Sequence, residues 1–348
     1  MGGEHLAREI GEQPAVLAGL LEAERARVEG IVAALRGRRD ITFVLIAARG
    51  TSDNAARYAQ YLFGARGRLP VALATPALFT LYDAPPDLRR ALVVGISQSG
   101  ESHDILAVVA EGRRQGAPTL ALTNFPDSPL GAAAEFVLPL HAGVERSVAA
   151  TKTYTAQLLA LAMLSAALRG DEADWRELAA APAAVEAALA LDGEIRDRAE
   201  RYRYVDRLIT GGRGYCYGTA FETALKLKET SYLLAEPYSP PDFLHGPVAI
   251  IDDGFPALLI APGGAAFGDM LDFARLLHAR SAEMIAVSDR EEVLRLARTP
   301  LRLPVALPEW LAPLTAIVPG QLLALHLAWA KGFDPDRPRG LSKVTRTR

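Results

Sequence analysis

The feature that most constrains the fold of this chain is an internal repeat, in which a strand pattern leads through Arg-Gly and a small polar turn into a helical pattern. The stretch VLIAARGTSDNAARYA at 44–59 resembles RLITGGRGYCYGTAFE at 207–222. The Arg-Gly pairs begin at Arg49 and Arg213, so the two copies are 164 residues apart. A spacing of this length indicates two tandem domains of the same kind.

A second pair of stretches has nearly the same spacing. APTLALTN at 117–124 resembles AEMIAVSD at 282–289, an offset of 165 residues. Any two βαβ units resemble each other to some extent, but the agreement of the two offsets within one residue favours a true duplication. We therefore predict two α/β domains, one at 1–195 that includes the N-terminal helices and one at 196–348 that includes the C-terminal tail.

Strand-like apolar runs alternate with helical patterns along the chain, which predicts parallel sheets with helices on both faces. Each half is therefore expected to form an αβα sandwich of the flavodoxin-like or Rossmann-like class. Apolar positions at helical spacing predict helices over 6–36 and, in an Ala-rich stretch, over about 155–190. The strand-like runs of the first half lie at 41–48, 71–74, 91–97, 118–124 and 135–140.

Composition excludes several classes of protein. The chain has 348 residues, half of them hydrophobic, and a net charge of −3, so nothing indicates a general surface for nucleic acid. The single cysteine, Cys216, leaves no intrachain disulfide and is typical of a protein in the reducing cytoplasm. The six histidines lack metal-ligand spacing, so we expect no metal and no other cofactor.

Neither of two segments that could target a membrane has the required pattern. The N-terminal stretch MGGEHLAREIGEQP is charged and lacks the apolar core of a signal peptide. The most apolar helical stretch, 158–168, has 11 residues and is too short to span a bilayer. We expect a buried helix at 158–168 and no membrane association.

A dense group of small polar residues, SQSGES at 97–102, follows the apolar run ALVV and precedes a helical pattern. A loop between a strand end and a helix N-terminus presents free N–H groups and a favourable dipole to an anion. We therefore predict a phosphate site formed by Ser97, Gln98, Ser99, Gly100 and Ser102. The alternative is an ordinary capping turn, since Ser, Asp and Glu are common at helix starts. The corresponding stretch of the second half, 258–270, lacks the serines.

Three other candidates lie in the second half. Glu222, Lys226 and Glu229 fall on one face of a predicted helix, where the alternative is a solvated salt-bridge face. His245 ends a proline-rich loop and Lys343 lies in a polar tail. An exposed or structural histidine and a frayed basic C-terminus are the corresponding alternatives.

Together these stretches resemble the sugar isomerase (SIS) superfamily, and most closely its glucosamine-6-phosphate synthase isomerase and glucosamine-6-phosphate deaminase branches. Several separate motifs in the same order make the resemblance specific. The motifs are RGTS (49–52), SQSGES (97–102), SVAATKTYT (147–155), ETALKLKETSY (222–232), LHGP (244–247) and PRGLSKVT (338–345).

The resemblance implies a role for each catalytic candidate. Glu229 would be the base that moves a proton between C1 and C2, Lys226 would stabilise the enolate, and Glu222 would orient Lys226. His245 would open the sugar ring, reaching in from the second subunit of a homodimer with shared active sites. Lys343 would reach the carbonyl of the open-chain sugar, where it could form a Schiff base.

The resemblance also implies the substrate-binding residues. The serines and Gln98 of 97–102 would bind the phosphate, and Val148 would line the sugar pocket through its backbone. The remaining substrate-binding candidates are Gly50, Thr51, Ser52 and Ser342.

The implied reaction converts glucosamine 6-phosphate and water to fructose 6-phosphate and ammonia. The synthase carries a glutaminase domain with an N-terminal cysteine, whereas residues 2–5 here are Gly-Gly-Glu-His, so we do not expect this chain to take ammonia from glutamine by itself. The synthase pattern also has a glutamate near where Asp242 stands. Three alternatives stay open: an isomerase or deglycase for another sugar phosphate, a synthase isomerase subunit fed by a separate glutaminase, and a non-catalytic sugar-phosphate sensor.

Overall fold

The structure, a computed structural model, describes residues 2–38 and 40–343, which divide into two units with one sheet each. The first-sheet unit contains the described residues 15–38, 40–145, 152–179 and 342–343. The second-sheet unit contains the described residues 2–14, 146–151 and 180–341.

The elements follow one another in the alternation that the sequence predicts. The strands are β1 (Phe43–Ala47), β2 (Val71–Leu73), β3 (Ala91–Ile96), β4 (Thr119–Thr123), β5 (Phe136–Pro139), β6 (Arg207–Gly211), β7 (Leu234–Tyr238), β8 (Pro256–Ile260), β9 (Glu283–Ser288) and β10 (Thr299–Arg302). The helices are α1 (Glu4–Gly11), α2 (Gln13–Arg36), α3 (Thr51–Gly67), α4 (Ala77–Thr80), α5 (His103–Arg114), α6 (Pro129–Ala133), α7 (Lys152–Arg169), α8 (Glu172–Ala179), α9 (Ala181–Leu189), α10 (Asp192–Ala199), α11 (Tyr217–Ser231), α12 (Pro240–Leu244), α13 (Phe267–Ala279), α14 (Glu291–Leu294) and α15 (Ala312–Ala330). Short 3-10 turns lie at 200–202, 214–216 and 247–250.

Both sheets have the same strand order, which confirms the predicted fold class and the duplication. The first sheet runs β2-β1-β3-β4-β5 and the second runs β7-β6-β8-β9-β10, with every described strand pair parallel. This is the flavodoxin-like order, in which the direction of strand addition reverses between the first and third strands and leaves a crevice at their carboxyl ends. The carboxyl ends of β1 and β3 are therefore the expected place for a ligand.

The central strands are buried along their length, because helices cover both faces of a parallel sheet. All six residues of β3 and all five residues of β4 are buried, whereas the edge strand β2 is not. This explains why the strands are readable from the sequence as continuous runs of Val, Ile, Leu and Ala. The side chains of β1 and β3 form one core with those of α5, including Leu45, Val93, Ile105 and Val109.

The helix predictions need one correction. The Ala-rich segment over about 155–190 is helical as predicted and consists of three helices, α7, α8 and α9. The stretch 158–168 is buried within α7 as expected, but it is not the most apolar helix. The most apolar helix is α15, whose length and composition would allow it to cross a membrane. However, 94% of its most apolar 18-residue stretch is buried inside the protein. Helices α1, α9, α10 and α11 pack around α15, so it is the core helix of the second-sheet unit.

Candidate active site

The serine loop, residues 97–102, joins the buried strand β3 to the first turn of α5. Ser97 Oγ accepts a hydrogen bond from the Gly100 backbone N–H (3.1 Å) and lies 3.4 Å from Ser102 Oγ. Gly100 has φ of +66°, and a Cβ at this position would lie 2.0 Å from Ser128 Oγ. Glycine is therefore required here both for its conformation and for the close packing of the loop.

The serine loop lies between a strand end and a helix N-terminus, which is the position that the sequence predicts for an anion site. Ser102 is the N-cap of α5 with an extended backbone, and its side chain makes no capping hydrogen bond among the described residues. A helix start without a side-chain cap presents N–H groups to a ligand. The capping-turn alternative is thereby weakened for Ser102, although Ser97 does have a structural role inside the loop.

The neighbouring loop, between β1 and α3, carries the next group of predicted residues. Gly50 has φ of +52°, and Thr51 is the first residue of α3. Ser52 is buried, and its Oγ accepts a hydrogen bond from Gln157 Nε2 (3.0 Å). An ion pair that the sequence analysis missed, between Arg49 Nε and Asp104 Oδ2 (2.6 Å), ties this loop to the start of α5.

A cavity of about 530 Å³ opens beside the serine loop, which is the size range of small-molecule sites. The cavity brings together three residues that the sequence singled out, Gln98, Ser99 and Lys343. Glu145 lines the same cavity and is 198 residues from Lys343 in sequence. The lining residues are Gln98, Ser99, Glu101, Phe125, Asp127, Ser128, Pro129, Val144, Glu145 and Lys343.

Lys343 is held in this cavity by a buried carboxylate. Its Nζ donates a hydrogen bond to Glu145 Oε2 at 2.7 Å. Glu145 also accepts from the backbone N–H and the hydroxyl of Thr153, at 3.2 and 2.8 Å. This buried acceptor favours a functional Lys343 over the frayed-end alternative. Ser342 is exposed, and positions 344 and 345 of the tail motif lie outside the described residues.

The second-sheet unit contains the three charged residues predicted on one helix face. On α11, Lys226 Nζ lies 2.6 Å from Glu229 Oε2 and 3.3 Å from Glu222 Oε1. The exposed fractions of the side chains are 2% for Lys226, 0% for Glu222 and 21% for Glu229. The solvated salt-bridge alternative is wrong for Glu222 and Lys226, because both are buried. Glu229 alone reaches the surface.

The charge of Lys226 is set by two opposing effects. Burial lowers the pKa of the ammonium, but the attraction of Glu222 and then of Glu229 outweighs burial, so the pKa of Lys226 is raised above its ordinary value. The side chain is therefore a cation at every physiological pH. Its charge lies directly behind the partly exposed Glu229 carboxylate.

His245 follows α12 and is exposed. It lines a separate cavity of about 460 Å³ in the second-sheet unit, together with Asp269 and Asp272. Val148 also belongs to the second-sheet unit, where it is half-buried between the buried residues Ser147 and Ala149.

The second repeat fills the place that corresponds to the serine loop with one of its own carboxylates. In the loop between β8 and α13, the backbone N–H groups of Ala265 and Ala266 donate to Glu309, at 2.8 and 3.0 Å. A Cβ on Gly264 would lie 2.2 Å from the Glu309 carboxyl carbon. An internal anion thus occupies this helix start, in the same stretch of the second repeat that lacks the serines of the first.

Comparison with known proteins assigns the family. The SIS domain profile matches residues 40–167 and 202–331, which are most of the two repeats. This chain belongs to the SIS domain family. Within that family, this SIS protein is 37% identical over 349 residues to glutamine–fructose-6-phosphate aminotransferase (isomerizing) of Thermococcus kodakarensis. The match covers 97% of this chain but only 57% of the relative, so the chain spans little more than half the length of that enzyme.

Two solved structures share the fold of this SIS protein over nearly its whole length. A protein assigned as a phosphosugar isomerase, from Silicibacter pomeroyi, has a TM-score of 0.86 and 36% identity and covers 96% of this chain and 100% of its own. The C-terminal domain of glucosamine-fructose-6-phosphate aminotransferase from Francisella tularensis has a TM-score of 0.85 and 29% identity, with coverage of 96% and 98%.

Proposed function

We propose that this SIS protein is an enzyme that interconverts an aldose and a ketose sugar phosphate, and that its reaction is glucosamine 6-phosphate plus water to fructose 6-phosphate plus ammonia. The observation that carries the proposal is the Glu222–Lys226–Glu229 group on α11. A partly exposed carboxylate with a buried ammonium behind it is suited to moving a carbon-bound proton. A sensor has no need of this group.

The reaction needs a base and a cation at adjacent positions. After ring opening, Glu229 would remove the proton from C2 of the aldehyde form and return a proton at C1. The electron pair released from C2 accumulates negative charge on the C1 oxygen, and the ammonium of Lys226 would stabilise it. The resulting imine at C2 would then take up water and release ammonia, leaving fructose 6-phosphate.

The first-sheet unit would bind the phosphate and supply an amine. The serine loop offers hydroxyls and a helix N-terminus to the phosphate dianion. Lys343 would contact the open-chain carbonyl. An amine must lose a proton before it can attack a carbonyl, and Glu145 Oε2, 2.7 Å away, is placed to accept it.

The proposal extends to the oligomeric state and the cellular location of the protein. We propose a homodimer in which His245 of one subunit serves the active site of the other. A cytoplasmic location is consistent with the single, buried cysteine.

A second candidate is the isomerase part of a glucosamine-6-phosphate synthase supplied with ammonia by another protein. The observation that favours it is the 37% identity to an aminotransferase of which this chain spans 57%. The same residues would run the reaction toward glucosamine 6-phosphate.

The experiment that separates these candidates is a panel of sugar 6-phosphates in which ammonia and ketose phosphate are measured in parallel. The proposal predicts equal amounts of ammonia and fructose 6-phosphate from glucosamine 6-phosphate. Ketose phosphate without ammonia from another sugar would support a plain isomerase. Formation of glucosamine 6-phosphate from fructose 6-phosphate when a separate glutaminase and glutamine are added, but not with free ammonium alone, would support the synthase part. Binding without turnover of any sugar would support a sensor and contradict the proposal.

A further inference from the structure

Two buried polar residues near the start of the chain, Glu9 and Gln13, hold the segment 146–151 at its two ends. Neither has a role in the proposed chemistry. We propose that this pair, here called the polar clamp, positions the backbone around Val148 for substrate, so that Glu9 and Gln13 are positioning residues of the active site. The inference rests on the proposed function for the role of Val148, but not for the contacts themselves.

Glu9 holds the first end of the segment. Its carboxylate accepts the backbone N–H of Arg146 at Oε1 (2.5 Å) and that of Ser147 at Oε2 (3.1 Å). Glu9 and Ser147 are both fully buried. A carboxylate is costly to bury unless it is hydrogen-bonded, and a buried backbone N–H needs an acceptor. Both requirements are met by this one contact, whose partners are 137 residues or more apart in sequence.

Gln13 holds the other end through a second amide. Its Nε2 donates to Gln321 Oε1 (2.8 Å) and to the Ile10 carbonyl (2.9 Å). Gln321 Nε2 in turn donates to the carbonyl of Thr151, at 3.5 Å. Gln13, Gln321 and Thr151 are all buried. The segment between these two attachments contains Val148, which is half-buried and thus accessible.

The helix that carries Glu9 is itself fixed. Asp336 caps the N-terminus of α1 by accepting the backbone N–H groups of Gly3, His5 and Leu6, at 3.0, 2.9 and 2.9 Å. Ile10, which follows Glu9, is buried. A positioning residue needs a supporting element that is itself held by contacts, and the Asp336 cap and the buried Ile10 provide such contacts for α1.

The test replaces Glu9 by Gln in the full chain. The glutamine is close in size, but its NH2 group would face one of the two backbone N–H donors, so one buried hydrogen bond is lost. We expect kcat/KM for glucosamine 6-phosphate to fall about tenfold or more. The competitive inhibition constant of inorganic phosphate, which reports the serine loop, should change by less than about twofold. A matched control is Glu4→Gln, because Glu4 lies on the same helix and is exposed.

Hydrogen exchange provides a readout that does not depend on the substrate. In Glu9→Gln, amides in 146–151 should exchange about tenfold faster or more, with the amides of α11 unchanged. Unchanged exchange at 146–151, or equal weakening of phosphate binding and turnover, overturns the positioning role. If the wild type turns over no sugar phosphate, the proposed function fails, while faster exchange in the variant still supports the clamp contacts.

A second variant covers a failure of Glu9→Gln to fold. Gln321→Met keeps the length of the side chain and removes the hydrogen bonds of Gln321 to both Gln13 and Thr151, which together form this end of the clamp. It should raise KM for glucosamine 6-phosphate severalfold with the same inhibition constant for phosphate. A Gln321→Met enzyme with wild-type kinetics and wild-type exchange at Thr151 would contradict the clamp at this end.

Discussion

Lys226 Nζ lies 2.6 Å from Glu229 Oε2, and this ion pair joins a fully buried cation to a carboxylate that reaches the surface. Burial of Lys226 costs free energy that its ion pairs with Glu222 and Glu229 offset, so a buried ion pair of this kind is weak evidence for a purely stabilising role. Its geometry fits a group that must hold a base and stabilise a developing negative charge at the same time.

The first prediction concerns the stability that Lys226 confers. Lys226→Met leaves Glu222 buried without its cation and should lower the free energy of unfolding by about 3–5 kcal/mol. Urea denaturation measures this loss, and Lys228→Met, on the same helix with an exposed side chain, should change it by less than about 0.5 kcal/mol. Adding Glu222→Gln should restore part of the loss. Equal stability of the two lysine variants would contradict the buried ion pair.

The pH dependence of this effect has a definite sign. Because the pKa of Lys226 is raised in the folded state, its stabilising charge is fully present below the ordinary lysine pKa of 10.5. The stabilisation is lost as the pH rises through the higher folded pKa. The contribution of the Lys226 charge to the stability of the wild type should therefore be constant from about pH 6 to 9 and be lost only in stronger alkali, which urea denaturation of the wild type across this range measures.

The second prediction separates two serines of the serine loop, 97–102. Ser99 lines the cavity, whereas Ser97 holds the loop together through the Gly100 N–H. Ser99→Ala should raise KM and weaken inhibition by inorganic phosphate, with little change in the melting temperature, because the hydrogen bond that Ser99 Oγ accepts from the Glu101 N–H (3.3 Å) is exposed. Ser97→Ala should do the same and also lower the melting temperature. If neither substitution alters KM or phosphate inhibition, the phosphate binds elsewhere.

The third prediction is that Cys216 takes no part in catalysis. The side chain is buried, and burial raises the pKa of the thiol well above its ordinary value, which removes the reactive thiolate at neutral pH. Cys216→Ser should keep most of the activity. In the native wild type the thiol should resist alkylation at pH 8 and react only after denaturation. A loss of several orders of magnitude in turnover on Cys216→Ser would show the opposite.

The strands could be read from the sequence because parallel strands are buried on both faces and give continuous apolar runs. The helix α15 could not, because it contains Pro319 and Gly320, which usually interrupt helices. Packing explains the glycine: a Cβ on Gly320 would lie 2.6 Å from Thr223 Oγ1 of α11. Tertiary contact, which a local pattern does not contain, therefore decided the extent of this helix.

The same distinction holds for the candidate site. Glu222, Lys226 and Glu229 share one helix, so helical spacing alone brings them together. The partner of Lys343 is Glu145, 198 residues away, and Glu9 contacts a segment 137 residues away. No periodicity or motif marks such a carboxylate, so these two residues became visible only in the fold.

The fourth prediction tests the shared site of the proposed homodimer. Glu229→Gln and His245→Ala should each be inactive alone, because each removes a group from every site. A verified heterodimer of the two chains should recover part of the wild-type activity, since one of its two sites would carry both intact groups. The matched control is a mixture of Glu229→Gln with itself. Heterodimers without any recovery would place His245 and Glu229 of one chain in the same site.

The central claim is that Glu229 is the base that moves the carbon-bound proton, and hydrogen exchange with solvent tests it most directly. Wild-type protein incubated with glucosamine 6-phosphate or fructose 6-phosphate in deuterated water should introduce deuterium at C1 or C2. Glu229→Gln keeps size and hydrogen bonding but has no basic site, so it should lower turnover by about 10²-fold or more with little change in binding, and should introduce no deuterium. Deuterium incorporation by Glu229→Gln at the wild-type rate would contradict the account and assign the proton transfer to another residue.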